Sequence, residues 1–348
     1  MHIGGSNTVA ASIRHPSPRD FQEFAHDRLG VRFPGPTRRS VGDHRPYADH
    51  HALVFLDPNG AGRKLASADG TYPCFGGPGI PVATLMGGWA PGAVPTAKDQ
   101  QYARPIPRGS DLVVQIHYHP SGKPEQDRSS LGLSFSGPPS KGRTAAIMFN
   151  TGIDIPPGDP HYVVTTSMVM PRDVELAGIT PHAHYLCKEM KIDAHLPDGS
   201  VEPLIWIKDW DFNWQGNYQY RKLLALPKGT RVEMVYTYDN SENNPRNPAH
   251  PPVRVRWGEQ TKDEMAVAFL GIILPSPTDV QSFQQQLSLQ YLETIFSREV
   301  TLEDLPPEMT PQQRQSVITI FNLFDKNKDG KLDSEERAAL LEFTRSRR

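Results

Sequence analysis

Apolar and polar residues alternate along much of this chain in short runs that predict β-strands. Residues 52–56 and 111–119 are rich in β-branched and aromatic side chains, and each run ends at a turn signal or a proline. Residues 1–46 show no sustained period, so we expect them to be irregular. Further strands are predicted near residues 131–135, 145–149, 161–169, 174–180, 188–196, 201–207, 231–238, 253–257 and 265–274.

After Pro275 the pattern becomes helical. Residues 279–297 carry apolar side chains near helical spacing, and Thr310-Pro311 suits the start of a further helix that runs to Phe324. We therefore predict a mainly β fold of two tandem antiparallel β-sandwiches with a small C-terminal α-helical segment. The predicted divisions are an irregular N-terminal segment (1–46), a first sandwich (47–155), a second sandwich (156–275) and a helical tail (276–348).

The composition is that of a globular protein and narrows the choice of partners. Of the 348 residues, 37% are hydrophobic and 22% are charged, and the net charge of -2 predicts neither a nucleic-acid nor a membrane-surface partner. No apolar run approaches the roughly 18 residues of a membrane span. The N-terminus lacks the layout of a signal peptide, which indicates a cytoplasmic protein, or a mature chain or fragment.

Cysteine is scarce, which limits the metal chemistry. Cys74 and Cys187 are the only two cysteines, so a disulfide framework and a thiolate-rich metal site are both excluded. Any metal must therefore be held by histidine, methionine or carboxylate side chains.

Six of the 13 histidines form three compact signals: His50-His51, His117-Tyr-His119 and His182-Ala-His184. The second and third pairs are two residues apart, which places both imidazoles on one face of a strand. Adjacent His50 and His51 would need a β-bulge or a strand end to reach one metal ion. This spacing suits copper, zinc, iron or nickel, and each pair taken alone is as readily explained by ordinary packing.

Four separated segments resemble, in order and in ligand type, those of a known enzyme family. They are HHALVFL from His50, QIHY around His117, PHAHYLCK around His182 and GEQTKDEM ending at Met265. They resemble the ligand-bearing segments of the copper type II, ascorbate-dependent monooxygenases, which include the peptidylglycine α-hydroxylating and dopamine β enzymes. The resemblance covers about residues 47–274, and residues 206–215 are similar to the bacterial branch.

The resemblance implies jelly-roll-like sandwiches and two copper ions per chain. One ion would be bound by His50, His51 and His117. Because it lies on the same strand face as His117, His119 is an alternative ligand. The catalytic ion, where oxygen binds, would be held by His182, His184 and Met265. A thioether stabilises Cu(I), whereas three imidazoles tolerate both oxidation states. An ascorbate-type reductant would reduce both ions, O2 would hydroxylate a substrate C–H bond, and the protein would be periplasmic or secreted.

Three positions depart from the peptide-amidating members. Their substrate-binding arginine, asparagine and tyrosine correspond here to Thr180, Val267 and Phe269. The loss of all three contacts argues against a peptide that ends in glycine and leaves the small-molecule substrate unknown.

Residues 325–336 match the twelve-residue EF-hand calcium loop. The predicted ligands are Asp325, Asn327, Asp329, the Lys331 carbonyl, Asp333 and Glu336, and Gly330 would provide the sharp turn.

Two other functions stay open on the sequence alone. A non-catalytic copper-binding or electron-transfer protein on the same scaffold would result if the first site does not assemble. A zinc hydrolase could use His182 and His184, but the motif offers no carboxylate ligand or general base, and Met265 is a poor match for zinc. The oligomeric state is not predicted.

Overall fold

The computed structural model describes residues 8–14, 23–32, 49–74, 77–80, 84–89, 104–118, 130–136, 138–296, 301–302 and 311–346. Over these residues the chain forms eighteen strands and four helices, and its paired strands run antiparallel. The prediction of a mainly β, sandwich-type fold with a helical C-terminal segment is thus confirmed. None of the described helices is long and apolar enough to cross a membrane.

The chain divides into two compact units. The first comprises Met1–Lys141 with Asp211–Gln219, and the second comprises Gly142–Trp210 with Tyr220–Arg348. The predicted division lies at residue 155, but strand pairing places it earlier. Gly142–Phe149 pairs along its whole length with Val267–Leu274 and so belongs to the second sandwich.

The first unit contains a five-stranded and a three-stranded sheet. Alternate residues of its two central strands, among them Val54, Leu56, Val114 and Ile116, form an apolar core against Leu133 of the smaller sheet. The larger sheet has the order β4-β1-β7-β3-β5, with β1 (Thr8–Arg14), β3 (Asp49–Asp57), β4 (Thr71–Pro73), β5 (Thr84–Trp89) and β7 (Asp111–Tyr118). The smaller sheet has the order β6-β2-β8, with β2 (Glu23–Arg32), β6 (Arg104–Ile106) and β8 (Ser130–Ser136), and the short helix α1 covers Ala61–Leu65.

The N-terminal segment differs from the expectation that residues 1–46 are irregular. Strand β1 pairs with β7 over its full length, and β2 pairs with β6 and β8. In β1, Val9, Ala11 and Ile13 alternate with polar or small residues, but the run is too short to stand out from sequence alone.

The second unit is a sandwich of two four-stranded sheets over one continuous core. The core includes Leu176, Met190, Ile192, Met234 and Ile272, all fully buried. One sheet has the order β11-β16-β13-β14, with β11 (Tyr162–Val169), β13 (Cys187–His195), β14 (Val201–Ile207) and β16 (Arg231–Tyr238). The other has the order β15-β12-β18-β9, with β9 (Gly142–Phe149), β12 (Val174–His182), β15 (Tyr218–Leu226) and β18 (Val267–Leu274). A separate pair joins β10 (Asp154–Ile155) to β17 (Val255–Arg256).

The C-terminal helices are α2 (Asp279–Phe296), α3 (Pro311–Phe324) and α4 (Ser334–Ser346). The first half of α2 belongs to the sandwich, because Phe283 is buried in its core and Gln284 donates to the Ala145 carbonyl of β9 at 2.8 Å. The second half joins a separate helical core through Leu292 and Phe296, together with Phe321, Leu332 and Leu340. Helix α2 is therefore shared between the sandwich and the helical segment.

Candidate metal centres

In the first unit, strand register brings two of the predicted ligand positions together. His51 of β3 lies directly opposite His117 of β7, and a register shift between Asp49 and His51 leaves His50 as an extra residue. The sequence required such an irregularity if adjacent histidines are to serve one metal ion. Directly opposed residues have Cβ atoms about 4.5–5.5 Å apart, which suits shared coordination. The side chains of His50 and His51, and the alternative ligand His119, lie outside the described residues.

In the second unit, His182 and His184 lie side by side at a strand end. Strand β12 ends at His182, which pairs with Val267, and His184 lies in the turn that follows. Their ring centroids are 5.3 Å apart with the planes at 86°, and His184 is only 4% exposed. The structure thus brings these two predicted ligands together, although the second of them lies just beyond the strand.

Two neighbours fix the orientation of His184. Its Nδ1 atom lies 2.9 Å from the carbonyl oxygen of Asp263, which accepts a hydrogen bond from the ring when Nδ1 carries the proton. A second contact runs from the Trp210 indole nitrogen, which donates to the His184 carbonyl at 3.1 Å. A histidine held through Nδ1 presents Nε2 to a metal ion, and such supporting contacts are typical of metal ligands.

Met265, the predicted thioether ligand, begins the approach to strand β18. Its carbonyl accepts a hydrogen bond of 2.7 Å from the buried hydroxyl of Tyr238, and Tyr236 makes the same type of bond, at 2.8 Å, to the carbonyl of Val267. These contacts fix the main chain that carries the methionine. The Met265 side chain is half-buried.

Glu264 connects two parts of the chain: the turn after β12 that carries His184, here called the histidine turn, and the methionine segment, which carries Met265. Its fully buried carboxylate accepts main-chain hydrogen bonds from His184 at 2.9 Å, Leu186 at 2.6 Å and Met265 at 3.1 Å. Burial raises the pKa of the Glu264 carboxyl, while the main-chain hydrogen bonds, which reach both oxygens, lower it by favouring the ionised form. Sequence reasoning missed Glu264, Trp210 and the Asp263 carbonyl. An acidic residue beside a candidate ligand was the available signal, but its burial depends on the fold.

The donor set of the second site suits copper. Two imidazoles and a thioether combine borderline and soft ligands, which favours copper over the hard cations. Among the described residues, no group of three or more His, Cys, Asp or Glu side chains is placed to hold a metal ion. A site of two histidines and one methionine has a different composition, and its support is the ring contact of His182 with His184 and the main-chain hydrogen bonds of Met265.

The residues of β12, β18 and β9 that adjoin His182 on its face of the sheet are uncharged. Three adjacent strands bring their residues together there, because Thr180 and His182 of β12 lie opposite Phe269 and Val267 of β18. On the other side of β18, Ile147 and Phe149 of β9 lie opposite the same two residues and are 41% and 37% exposed. Thr180, Val267 and Phe269, which replace the peptide-binding residues of the amidating enzymes, thus lie on one face of the sheet. We call this face the β12–β18–β9 surface. It comprises Ile147, Phe149, Thr180, Val267 and Phe269.

The predicted calcium loop joins α3 to α4. Asp325 is 8% exposed, its Oδ2 accepts from the Gly330 amide at 3.2 Å, and Gly330 has the positive φ of 79° that a sharp turn requires. The buried Oδ1 of Asp325 has no hydrogen-bond partner within the described part of the chain. Glu336, the predicted final ligand, accepts main-chain hydrogen bonds from Lys326 at 2.7 Å and Asp333 at 3.1 Å.

The remaining predicted calcium ligands lie on the exposed side of this loop. Asn327, Asp329 and Asp333 each accept main-chain hydrogen bonds from the loop, and Lys331 forms an isolated antiparallel bridge with Thr301. All the predicted positions therefore occur in one loop. Within the described residues, the side chains of this loop do not form a group of three or more that could hold a metal ion.

Comparison with known proteins provides no family for this chain. No protein-family model matches it, and no curated protein matches it. It is similar to the major capsid protein P2 of bacteriophage PM2 at 10% identity, a TM-score of 0.29, and coverage of 76% of this chain and 91% of that one. It is also similar to a structure of infectious bursal disease virus, Gx strain, at 10% identity, a TM-score of 0.17 and coverage of 99% and 89%. Such low TM-scores carry no argument about fold or function.

Proposed function

We propose that this chain is a dicopper monooxygenase that hydroxylates a C–H bond of a small substrate with O2 and an ascorbate-type reductant. The observation that carries the proposal is the arrangement of His182 and His184. Their rings lie 5.3 Å apart, and His184 is held through Nδ1 so that Nε2 faces away from the Asp263 carbonyl. The shared Glu264 contact places the Met265 segment beside them.

The two proposed sites differ in their donors and therefore in their tasks. Copper bound at these residues would store an electron at the first site and activate dioxygen at the second. The register of β3 and β7 would present His51 and His117 to the first ion, with His50 from the bulge. At the second site, His184 and Met265 would keep fixed positions because buried hydrogen bonds hold their main chains.

The surface beside His182 supports a substrate without a carboxylate anchor. The β12–β18–β9 surface has the half-buried Phe269 and Thr180 and the buried Val267 where the peptide-amidating enzymes have charged or polar substrate contacts. None of these three side chains can form an ion pair with a substrate carboxylate, which would have to give up hydration to lie against them. We therefore propose a small substrate that is neutral and apolar around the reacting carbon.

An oxygen-electrode assay tests the proposal. Copper-loaded protein with ascorbate and a panel of neutral aromatic and aliphatic compounds is expected to consume O2 in proportion to hydroxylated product, detected by mass spectrometry. Substitution His184→Ala should abolish the coupled reaction, and His161→Ala, at an exposed loop histidine, should retain it. Tight copper binding and ascorbate-driven reduction without any product would instead favour a copper-binding or electron-transfer protein. Preferential zinc binding with hydrolytic activity would favour the hydrolase.

We also propose that the loop of residues 325–336 binds calcium. The support is the buried Asp325 Oδ1, which has no partner in the described structure, in a loop where Glu336 is 6% exposed. Calcium should raise the Tm of the wild type, and Glu336→Gln should weaken calcium binding about tenfold or more. The neighbouring Glu335 is exposed, so Glu335→Gln is the matched control. Equal calcium affinity in both variants would contradict the assignment. A periplasmic or secreted location, where calcium is plentiful, fits both proposals.

A further inference from the structure

We infer that Glu264 is a positioning residue of the second metal site, which holds the main chains of His184 and Met265 in one frame so that an imidazole and a thioether reach the same ion. This inference rests on the proposed copper function. Glu264 does not itself act as a ligand in this account. Its effect on the metal is exerted through the two residues whose amides it binds.

The geometry of the hydrogen bonds supports this role. The amides of His184 and Met265, 81 residues apart in sequence, donate to the same Oε2 atom at 2.9 and 3.1 Å. The other oxygen, Oε1, accepts from Leu186 at 2.6 Å and so closes the histidine turn. One side chain therefore links both segments that carry the proposed ligands.

A glutamate at this position indicates a specific role, because burial of its carboxyl group is energetically unfavourable. The side chain is fully buried, and the donors that reach it are main-chain amides rather than a cation. Burial of a carboxyl group in an apolar core is unfavourable unless its hydrogen bonds compensate. An apolar side chain would fill the volume but leave three buried amides without an acceptor.

A glutamine has nearly the same shape but only one acceptor oxygen. A carboxylate offers two acceptor oxygens, whereas the amide group replaces one of them with a donor. In Glu264→Gln, one orientation of the amide loses the bonds to His184 and Met265, and the other sets its NH2 donor against the Leu186 amide, which displaces the turn. The link between the turn and the methionine segment is therefore expected to loosen while the size of the side chain is kept.

The test compares the affinities of the protein for Cu(I) and Cu(II). Cu(I) depends on the Met265 thioether, whereas Cu(II) depends mainly on the imidazoles, and His184 keeps its contact with the Asp263 carbonyl. Glu264→Gln should lower the Cu(I) affinity of the second site about 10–100-fold, as supporting residues of metal ligands do, and change the Cu(II) affinity by less than about threefold. X-ray absorption of the Cu(I) form should show a weakened sulfur contribution. Glu202→Gln, at an exposed strand position, is the control.

Each outcome decides the inference. A variant that folds cooperatively and keeps the wild-type ratio of Cu(I) to Cu(II) affinity, or loses both affinities in parallel, would overturn it. If Glu264→Gln does not fold, Glu264→Asp, which keeps both oxygens on a shorter stem, replaces it. If neither folds, Glu264 is a determinant of the fold and the inference fails. If the wild type itself binds no Cu(I) through His182, the proposed function fails instead.

Discussion

The two candidate metal centres are built in different ways. In the first unit, the ligand positions lie on two paired strands, and the register alone brings His51 opposite His117. In the second unit, the ligands come from a strand end, a turn and the approach to another strand, and buried hydrogen bonds hold them. A site that depends on register tolerates changes around it as long as the sheet pairs. A site that depends on buried polar contacts is sensitive to residues that never touch the metal.

The largest expected effect follows from removing a ligand of the second site. His184→Ala should lower bound copper from about two to about one per chain and reduce product formation to the background rate. The ring of His184 is buried and anchored to Asp263, so its loss also leaves that carbonyl without the ring nitrogen. Elemental analysis and the oxygen-electrode assay measure the two effects. Full copper content in the variant would show that the ion is bound elsewhere.

Replacement of a histidine ligand by alanine in the first unit should distinguish the properties of the two sites. His117→Ala should also leave about one copper per chain, but the remaining ion should keep the Cu(I) affinity of the second site. X-ray absorption should then show a higher share of sulfur ligation per copper than in the wild type, since the methionine site is the one that remains. An unchanged share of sulfur would mean that the two sites do not differ in the way proposed.

A smaller effect is expected when a supporting contact is removed. Trp210 is 1% exposed, and its indole nitrogen donates to the His184 carbonyl. Trp210→Phe removes this bond and some buried volume, which should lower the free energy of unfolding of the second unit by about 1–3 kcal/mol. Urea unfolding monitored by tryptophan fluorescence and circular dichroism measures it. The exposed Trp206 provides the control Trp206→Phe, and equal losses in both variants would contradict the role of the buried bond.

The smallest effect concerns the two cysteines, one in each unit. Burial raises the pKa of the Cys187 thiol well above its ordinary value, and Cys187 is 1% exposed. Burial also raises the pKa of Cys74, opposed by a hydrogen bond from the Gln115 amide, but Cys74 is only half-buried. A chromogenic thiol reagent should therefore modify Cys74 in the folded protein, faster as the pH rises, and Cys187 only after denaturation. Rapid modification of Cys187 in the native state would contradict its buried position.

Most of the regular structure could be predicted because the strands of both cores alternate strongly. Strands β3, β7, β12 and β18 and helices α2 and α3 lie close to their predicted bounds. Strand β5 was missed because its glycines resemble turn signals. In the fold, Gly88 lies against β3, where an added Cβ would come within 2.9 Å of the Ala52 carbonyl oxygen. Strand β15 was missed because its residues are mostly exposed and do not alternate clearly.

In the candidate sites, too, some residues could be predicted from the sequence and others could not. Spacing alone indicated paired histidines, and only the resemblance to a known enzyme family implied the six proposed copper-ligand positions; the structure brings together His51 with His117 and His182 with His184. Spacing could not name Glu264, because its partners His184 and Leu186 lie 80 and 78 residues away. Which buried polar group faces which main-chain amide depends on sheet packing, and no local pattern encodes that information.

The central claim is tested most directly by counting copper in the purified protein. After reconstitution with excess copper and removal of loosely bound metal, elemental analysis should find about two ions per chain in the wild type and about one in His182→Ala. One ion in the wild type that disappears in the variant would mean that the first site does not assemble. No tightly bound copper in the wild type would contradict the account.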